Sequence, residues 1–394
     1  MLQDGRERGR GAPGLPSALP LEMTSIALDA TYTVDREPTG VTAYGRGLIE
    51  ALATVDRNYQ FLLCYRLSRF GRRHQFLRPG RSNGDHGPAF STKWYQEPLT
   101  FWLPWQAQLF HSLNQRPPAF AFQKEVVTVF DIFTVTGEDY STPQFRQRFS
   151  ALLLEAVSRA VRSITLSQYT ADELVARCGV PRERIRVIYP GINPPQVTLS
   201  AEDRIRERAA LVGEGNEMVL SVGAIQVRKN TVNALRALRL LPPQYKLVLA
   251  GGDGHGSEAV YDFVRAERLE SRVIRLGYVA SARLPVLYEA ASVLLFPSLG
   301  EGFGFPVLEA MARGLPVVTS NVSSLPEVGG DAALYADPKD PQEIAQMVGC
   351  AVEDKSLREG MIRRGLARAR EFTWRRAAER TCDVYDEVLA DRSK

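Results

Sequence analysis

Cysteine and histidine are scarce in this sequence, and neither residue type forms a ligand pattern. The four cysteines are scattered, the four histidines are equally dispersed, and no C-x-x-C or H-E-x-x-H motif occurs. This spacing argues against a disulfide framework and against a zinc site. We therefore predict no metal site and no cofactor, and we interpret the cysteines as thiols in a reducing compartment: Cys64, Cys178, Cys350 and Cys382.

Long apolar runs are also missing, since no segment approaches the ~20 consecutive apolar residues that a transmembrane helix needs. Residues 1–22 lack the apolar core of a signal peptide, and their Gly, Pro and Arg content predicts a disordered tail over 1–23. Met23 precedes a strand-like run and is a candidate for the true first residue of the protein. We expect a cytoplasmic protein, and a peripheral contact with the inner face of the membrane stays open.

The chain has no large excess of charge of either sign, since its net charge is only +4. This mild positive bias suits anionic partners but demands neither nucleic acid nor an acidic membrane surface, and we predict no nucleic-acid partner. The 394 residues, of which 44% are hydrophobic and 24% charged, indicate two globular domains.

The sequence does contain a regular alternation of strand-length apolar runs with helix-period segments, which is typical of α/β proteins with parallel sheets. It predicts two doubly wound Rossmann-like domains that face a central cleft. The predicted strands are Ser25–Leu28, Phe61–Tyr65, Gln108–His111, Val126–Phe130, Ser163–Ser167, Met218–Val222, Lys246–Ala250, Val273–Leu276, Val293–Phe296 and Pro316–Thr319. Ligands bind such sheets at the carboxyl ends of the strands, so the loops that follow these strands are the candidate sites.

The predicted domains span residues 24–200 and 201–375. A polar, Pro-containing stretch from Pro194 to about Asn216 interrupts the alternation between them. Residues 376–394 are predicted to form a C-terminal helix that packs back toward the first domain.

The most informative loop follows the predicted strand Val293–Phe296, in the run FPSLGEGFGFPVLEAMARGLPVV. It is rich in glycine, Pro306 stands where a helix can begin, and Gly314 ends that helix. Unpaired backbone N–H groups at such a helix start bind anions. Glu301 in the loop and Glu309 one turn into the helix can face the same cleft. The alternative is a tight helix-entry turn with two solvated glutamates.

A second candidate loop follows the strand Met218–Val222, in the run SVGAIQVRKNTVNALRAL. Arg228 and Lys229 lie in this loop, and Asn230 is placed to cap the following helix. Arginine binds a diphosphate in bidentate fashion and lysine binds it as a point charge. Surface Arg-Lys pairs are common, so this pair alone is weak evidence for a function. The glycine-rich loop with Glu301 and Glu309 lies in the same predicted domain, and this co-occurrence favours a functional role for Arg228 and Lys229.

Several motifs in order resemble glycosyltransferase family 4, the group 1 glycosyltransferases. In the second half these are RKN, LGYV, EGFGFPVLEA, SSLPEVGGDAALYADPKD and FTWRRAAERTCDVYDEVL; in the first half, TGVTAYGRGLIEAL, VVTVFD, SQYTADEL and YPGI. Glu301 and Glu309 have the family's E-seven-residues-E spacing. The resemblance covers nearly everything from Thr24 onward and implies the two-Rossmann-domain GT-B architecture and a retaining, metal-independent transferase.

The resemblance also implies roles for individual residues. Arg228 and Lys229 would neutralise the leaving diphosphate, Glu301 would hold hydroxyls of the donor sugar, and Glu309 would hold those of the nucleotide ribose. The further donor-binding candidates are Gly40 in the first βα turn, Val279 near the base, and Gly302, Phe303, Gly304 and Phe305 around sugar and phosphate. The expected partners are a GDP- or UDP-sugar, with a mannose-like hexose favoured, and a glycan or lipid-linked acceptor. The chain has no D-x-D pair, the usual chelator of a nucleotide-bound divalent ion.

Two positions depart from the family pattern. Ala224 stands where members often have a basic residue, which leaves Arg228 and Lys229 with more of the diphosphate. Phe130 stands where many members have histidine, so a contact attributed to that histidine is unavailable here. Phe130 and Asp131 remain candidates for the acceptor and sugar side of the site.

Three other functions stay open at this stage. A catalytically impaired sugar-nucleotide-binding protein and a sugar-nucleotide epimerase share the architecture. GHGSEA, residues 254–259, fits the dinucleotide fingerprint of a dehydrogenase, but it explains none of the other motifs.

A basic and aromatic segment in the first half has two interpretations. The run RLSRFGRRHQFLRPGR, residues 66–81, is followed by Trp94, Trp102 and Trp105. It is either an acceptor-side surface for a lipid-linked or anionic glycan, or a solvated loop beside core tryptophans, and the second interpretation is favoured.

Overall fold

The structure is a computed structural model and describes residues 23–76, 89–96, 99–118, 120–136, 139–194 and 198–391. The predicted tail lies outside these residues except for Met23, as does the part of the basic segment after Phe76. Within the described residues, no helix is both long and apolar enough to span a bilayer.

The first half of the chain forms a parallel sheet with the strand order β3-β2-β1-β4-β5-β6-β7. Its strands are β1 (Thr24–Asp29), β2 (Tyr59–Arg66), β3 (Ala89–Tyr95), β4 (Leu109–Ser112), β5 (Glu125–Val129), β6 (Arg162–Thr165) and β7 (Ile185–Val187). The order reverses between β1 and β4, which pair directly, with Leu28 opposite His111. Such a reversal opens a crevice at the carboxyl ends of the two strands.

The second half forms a parallel sheet with the order β10-β9-β8-β11-β12-β13. Its strands are β8 (Glu217–Val222), β9 (Tyr245–Ala250), β10 (Val273–Gly277), β11 (Val293–Phe296), β12 (Val317–Ser320) and β13 (Leu334–Ala336). Here the reversal lies between β8 and β11, with Leu220 opposite Leu294. These strands are apolar because helices cover both faces of the sheet.

Helices connect the strands and cover the sheets. They are α1 (Gly40–Leu52), α2 (Leu67–Phe70), α3 (Phe133–Thr136), α4 (Pro143–Arg159), α5 (Gln168–Cys178), α6 (Ala201–Val212), α7 (Thr231–Leu240), α8 (Ser257–Ala266), α9 (Leu284–Ala290), α10 (Phe305–Ala312), α11 (Leu325–Gly329), α12 (Pro341–Glu353), α13 (Lys355–Ala369) and α14 (Trp374–Ala390). The predicted α/β class with two doubly wound parallel sheets is confirmed.

Four elements differ from the sequence-based expectation. The strands β3, β7 and β13 were not predicted, because β7 and β13 are only three residues long and β3 carries the polar run Ser91–Lys93 at the sheet edge. The polar stretch taken as a linker contains α6, whose N-terminus is capped by the Ser200 hydroxyl. The predicted domain limits stay a prediction.

The last helix, α14, packs on the N-terminal sheet. Its Tyr385 hydroxyl lies 2.6 Å from His111 Nδ1, and the other ring nitrogen of His111 lies 2.9 Å from the Thr128 hydroxyl. Lys124 Nζ donates to three carbonyls at the end of the helix, at 2.6 to 3.0 Å. Because His111 is fully buried, burial lowers its pKa to about 3.

The carboxyl ends of the two sheets meet across an interface between the halves. The Ser167 hydroxyl, just after β6, donates to the Gly302 carbonyl at 2.6 Å. The Glu327 carboxylate on α11 accepts from the backbone amides of Gln168 and Tyr169 at the start of α5. A helix N-terminus favours a carboxylate, so this contact holds the two halves together at the cleft.

Candidate active site

The glycine-rich loop between β11 and α10 is shaped by close packing. A Cβ on Gly302 would lie 1.8 Å from the Phe130 carbonyl oxygen, so only glycine fits this approach of the two halves. Gly304 has a φ of +102° at the N-cap of α10, a region that favours glycine. The buried Ser324 hydroxyl donates to the carbonyls of Glu301 and Phe303, both at 2.9 Å, which fixes the loop.

The backbone of this loop offers hydrogen-bond donors to a ligand. Among the described residues, no acceptor is found for the backbone N–H groups of Gly302, Phe303, Gly304 and Phe305. As predicted, Pro306 lies in the first turn of α10 and Gly314 ends the segment with a φ of +68°. Free amides at a helix start form an anion-binding site.

Arg228 and Lys229 form a single 3-10 turn after β8, at the point where the strand order of the second sheet reverses. Lys229 passes over the strand-end Gly223, whose Cβ would lie 3.2 Å from the lysine Cε. Its ammonium lies 4.5 Å from the centre of the Phe296 ring, at the end of β11. The loops after β8 and β11 therefore meet around these cations.

Asn230 does not act as predicted. It occupies the N-cap position of α7 but has a φ of +59° and makes no side-chain cap. Its amide group instead donates to the carbonyls of Pro297 and Pro338, at 2.9 and 2.7 Å. The residue therefore ties the loop of Arg228 and Lys229, which we name the cation loop, to the loop after β11.

Glu301 lies between the two cations. Its carboxylate oxygens are 2.7 Å from Arg228 Nη1 and 2.7 Å from Lys229 Nζ, and its backbone N–H donates to the Ser323 hydroxyl at 3.0 Å. Burial would raise the pKa of Glu301, but the charges of Lys229 and Arg228 outweigh it and lower the pKa to about 2. Burial in turn lowers the pKa of Lys229, against the attraction of Glu301.

Glu309 lies on α10 and has a different partner. Its Oε2 accepts a hydrogen bond of 2.6 Å from the Tyr288 hydroxyl. Within the described part of the chain, no donor contacts the other carboxylate oxygen. Burial raises the pKa of Glu309, and the Tyr288 hydrogen bond only partly offsets this. One carboxylate oxygen is thus oriented by the Tyr288 hydroxyl.

The N-terminal half contributes side chains to the same cleft. The Phe133 ring lies 4.7 Å from the Arg228 guanidinium carbon, close enough for a cation–π contact. The Asp131 carboxylate accepts from the Phe133 backbone N–H at 3.3 Å. Burial raises the pKa of Asp131, and the positive charge of Arg228 opposes that rise. Asp131 therefore faces the cation loop from the opposite half.

Phe130 and Gly40 lie near this boundary as well. The Phe130 ring is partly buried and meets Tyr44 edge-on, with ring centres 5.1 Å apart. A Cβ on Gly40, at the start of α1, would lie 3.5 Å from the Phe305 ring. An alanine would fit at that distance, so the space at Gly40 is roomier than at Gly302.

The remaining donor candidates are distributed around the loop. Phe303 is buried and packs edge-on against Phe305, with ring centres 5.1 Å apart. Val279 follows β10 and is partly buried. It packs against the hydrophobic core of the structure.

Several residues that shape the site were not predicted. Phe133, Tyr288 and Ser324 contact Arg228, Glu309 and the glycine-rich loop respectively. Each acts through a tertiary contact, and nothing in its local sequence pattern signals it. Ser324 is the exception in part, because it lies in the loop that follows β12.

Both halves of the chain match family models of glycosyltransferases. Residues 203–368 match the family model described as glycosyl transferases group 1, and residues 40–196 match the model described as glycosyltransferase family 4. The first covers the cation loop, Glu301 and Glu309. The second covers Gly40, Phe130 and Asp131.

Individual relatives agree with the family models. The chain is 32% identical to O-antigen chain mannosyltransferase B of Escherichia coli over 85% of this chain and 82% of that protein. It is 28% identical to the serotype-specific mannosyltransferase WbdA of E. coli over 68% of this chain, but spans only 34% of that longer protein. The crystal structure of HepE from Anabaena with UDP and glucose superposes with a TM-score of 0.72, covering 93% of this chain and all of that one at 20% identity. This chain is an enzyme of the group 1 glycosyltransferases of glycosyltransferase family 4.

Proposed function

We propose that this glycosyltransferase moves a hexose from a nucleoside diphosphate sugar to a glycan or lipid-linked acceptor, with retention of configuration and without a metal ion. Arg228 and Lys229 bind the diphosphate, Glu301 binds hydroxyls of the sugar, and Glu309 binds the ribose. The glycine-rich loop contributes backbone amides, and Phe130 with Asp131 forms the opposite wall.

The observation that carries the proposal is the buried cluster of Arg228, Lys229 and Glu301 at the strand-order reversal. Two cations converge within 2.7 Å of one carboxylate and lie beside a loop with unsatisfied backbone amides. In the structure, the Glu301 carboxylate pairs with both cations and offsets one of their two positive charges. A diphosphate has the charge to take over that part, which frees the carboxylate for sugar hydroxyls.

Such an arrangement suits the departure of a diphosphate. When the glycosyl phosphate bond breaks, negative charge grows on the leaving phosphate oxygen. Preorganised cations and amides stabilise that charge in a site shielded from water. The lack of a D-x-D pair and of a basic residue at Ala224 favours Arg228 and Lys229 for this task.

The relatives bear on the identity of the sugar. Relatives named mannosyltransferases favour a mannose-like hexose, and a structural neighbour was crystallised with UDP and glucose. We therefore propose guanine or uracil as the base of the donor. Phe130 offers an apolar wall to the sugar, where a histidine could have bonded a hydroxyl.

The test is a two-stage screen of the purified chain. GDP- and UDP-sugars are first compared by thermal shift, since a ligand at 100 times its Kd stabilises the folded state by ~2.7 kcal/mol. The best donor is then incubated with and without glycan acceptors, and the anomeric configuration of the product is read by NMR.

The outcomes separate the rival functions. Acceptor-dependent transfer with retained configuration supports the proposal. Conversion of donor alone to a different sugar nucleotide identifies an epimerase. Binding of a sugar nucleotide without any conversion identifies a binding protein.

A further inference from the structure

A recess opens at the edge of the N-terminal sheet where its strands begin. Its volume is about 940 Å³, which is the size of a small-molecule site. Among its lining residues, Ser25 is the second residue of β1, Gln60 is the second residue of β2, and Gln108 directly precedes β4. We name it the amino-edge recess. Because the candidate active site lies at the carboxyl ends of the strands, the two sites are on opposite edges of the sheet.

The lining of the amino-edge recess is polar but uncharged. None of the described residues that line it is acidic or basic. Its hydrogen-bonding side chains are one serine and four glutamines: Ser25, Gln60, Gln106, Gln108 and Gln123. Lys124, the neighbour of Gln123, donates its ammonium to three carbonyls at the end of α14. An anionic ligand would therefore find no counter-charge in the lining, which complements a neutral polar ligand.

Ser25 holds two of these glutamines in place. Gln108 Oε1 accepts from the Ser25 backbone N–H at 2.6 Å, and Gln60 Oε1 accepts from the Ser25 hydroxyl at 3.2 Å. A glutamine amide also has two N–H donors. Within the described ranges of the chain, no acceptor is found for these donors on Gln60 or Gln108. Each amide is thus anchored through its oxygen, and its donors are not used by the fold.

An exposed tryptophan forms one wall of the amino-edge recess. Trp105 ends a 3-10 turn, Leu103–Trp105, and its side chain is 79% exposed although Leu103 is buried. The Phe101 ring meets it edge-on, with ring centres 6.0 Å apart. Tryptophan is a highly buried residue type on average, so a ring this exposed beside a recess offers an unused aromatic face. Such a face binds apolar C–H groups, and the indole N–H adds one donor.

We propose that the amino-edge recess binds a neutral glycan, with a sugar ring against Trp105 and its hydroxyls bonded to the glutamine amides. A hexose combines an apolar C–H face with a rim of uncharged hydroxyls, which an aromatic face and neutral amides complement. The proposal rests on the proposed function, because the bound glycan is a distant part of the acceptor chain. The six residues of β1 separate the two edges by about 20 Å, so only an acceptor of several sugars contacts both sites.

Two neutral probes and one anionic control test the proposal. The probes are mannohexaose and maltohexaose, and the control is hexagalacturonate, which has a similar length but carries carboxylates. Each is titrated into the full chain and followed by calorimetry and by tryptophan fluorescence. At least one neutral hexamer should bind ~10-fold or more tightly than the anionic one, since a charge is costly to desolvate without a partner. Binding should also shift the emission to shorter wavelength as a sugar covers Trp105.

Variants decide where the glycan binds. Trp105→Ala should weaken binding ~10-fold and abolish the fluorescence shift, whereas Trp105→Phe should keep most of the affinity. Gln106→Ala should weaken binding ~5-fold through one lost neutral hydrogen bond, while the equally exposed Gln342→Ala on the remote α12 should not. Nucleoside diphosphate is titrated separately and should bind all variants equally. Its failure to bind the wild type would reject the donor site, whereas failure of both neutral hexamers would reject the glycan site.

Two further results overturn the proposal. One is glycan binding that survives both Trp105→Ala and Gln106→Ala unchanged, which would place the glycan elsewhere on the chain. The other is binding of the wild type, but not of Trp105→Ala, to phosphatidylcholine vesicles with no preference for neutral over anionic hexamers. That result would make Trp105 a membrane contact.

Discussion

Lys229 Nζ lies 2.7 Å from Glu301 Oε1, although the two residues are 72 positions apart in the chain. The contact joins the loop after β8 to the loop after β11, the two loops that flank the strand-order reversal. It neutralises a buried lysine and a buried carboxylate, each of which would be costly to bury alone.

The role of Lys229 is tested by Lys229→Ala. We expect turnover to fall at least ~100-fold, because one preorganised stabiliser of the leaving phosphate is removed. Arg228 still pairs with Glu301 in this variant, so the buried carboxylate keeps a partner. Steady-state release of nucleoside diphosphate measures the effect, and Lys339→Ala on the exposed surface is the matched control. Turnover within a few-fold of wild type would show that the diphosphate is held elsewhere.

The two glutamates should have separable effects. Glu309→Gln should weaken binding of the free nucleoside diphosphate, because its proposed partner is the ribose. Glu301→Gln should leave that binding intact or strengthen it, since the carboxylate competes with the diphosphate for Arg228 and Lys229, yet transfer should be impaired. Calorimetry with nucleoside diphosphate and a turnover assay on the same variants measure both properties. Equal weakening in the two variants contradicts the assignment of roles.

His111 predicts a specific loss of stability in mild acid. Its pKa is about 3 in the folded protein and 6.5 ordinarily, so below pH 6.5 the unfolded chain binds a proton that the folded chain excludes. Stability is therefore fully present above pH 6.5 and falls progressively toward pH 3. At pH 5.5 the loss amounts to about 1.4 kcal/mol.

Urea unfolding at pH 7.5 and pH 5.5 isolates this contribution. His111→Gln should be less stable than wild type at pH 7.5 but should lose about 1.4 kcal/mol less on acidification. The exposed His74→Gln should keep the wild-type pH dependence. Identical pH dependence in wild type and His111→Gln would mean that the ring titrates freely in the folded state.

Phe130 should influence the choice of donor sugar. Its ring offers an apolar wall beside the cleft, which favours a sugar face without a hydroxyl, such as that of a 6-deoxy sugar. Such a wall rejects an extra hydroxyl by at most ~100-fold. Phe130→His should shift preference toward the hydroxylated sugar, measured as the ratio of kcat/KM for the two donors, whereas Phe130→Leu should not. An unchanged ratio in active Phe130→His assigns the ring to packing against Tyr44 alone.

The sequence was most informative where structure is local. The strand, glycine-rich loop and helix around Gly304 follow from adjacent residues, and so does the turn that carries Arg228 and Lys229. The partner of Glu301 in the unliganded protein could not be predicted, because the pairing depends on how β8 and β11 lie together. Asn230 failed as a predicted cap for a similar reason, since the carbonyls of Pro297 and Pro338 compete for its side chain.

The missed strands reflect length and position. β7 and β13 have too few residues for a periodic pattern, and β3 lies at a sheet edge where polar side chains are tolerated. The tryptophans show the same limit. Trp102 packs against the core, but Trp105 is 79% exposed, and nothing in the spacing of the two residues distinguishes them.

In the proposed mechanism, Arg228 and Lys229 do the work that a divalent ion does in other transferases. The most direct measurement is acceptor-dependent release of nucleoside diphosphate by metal-stripped enzyme in excess chelator. We predict a rate nearly equal to that with magnesium or manganese present, together with a severe loss in Lys229→Ala under both conditions. A rate that collapses in chelator and returns when magnesium or manganese is added would show that a metal ion, and not Arg228 with Lys229, stabilises the leaving diphosphate.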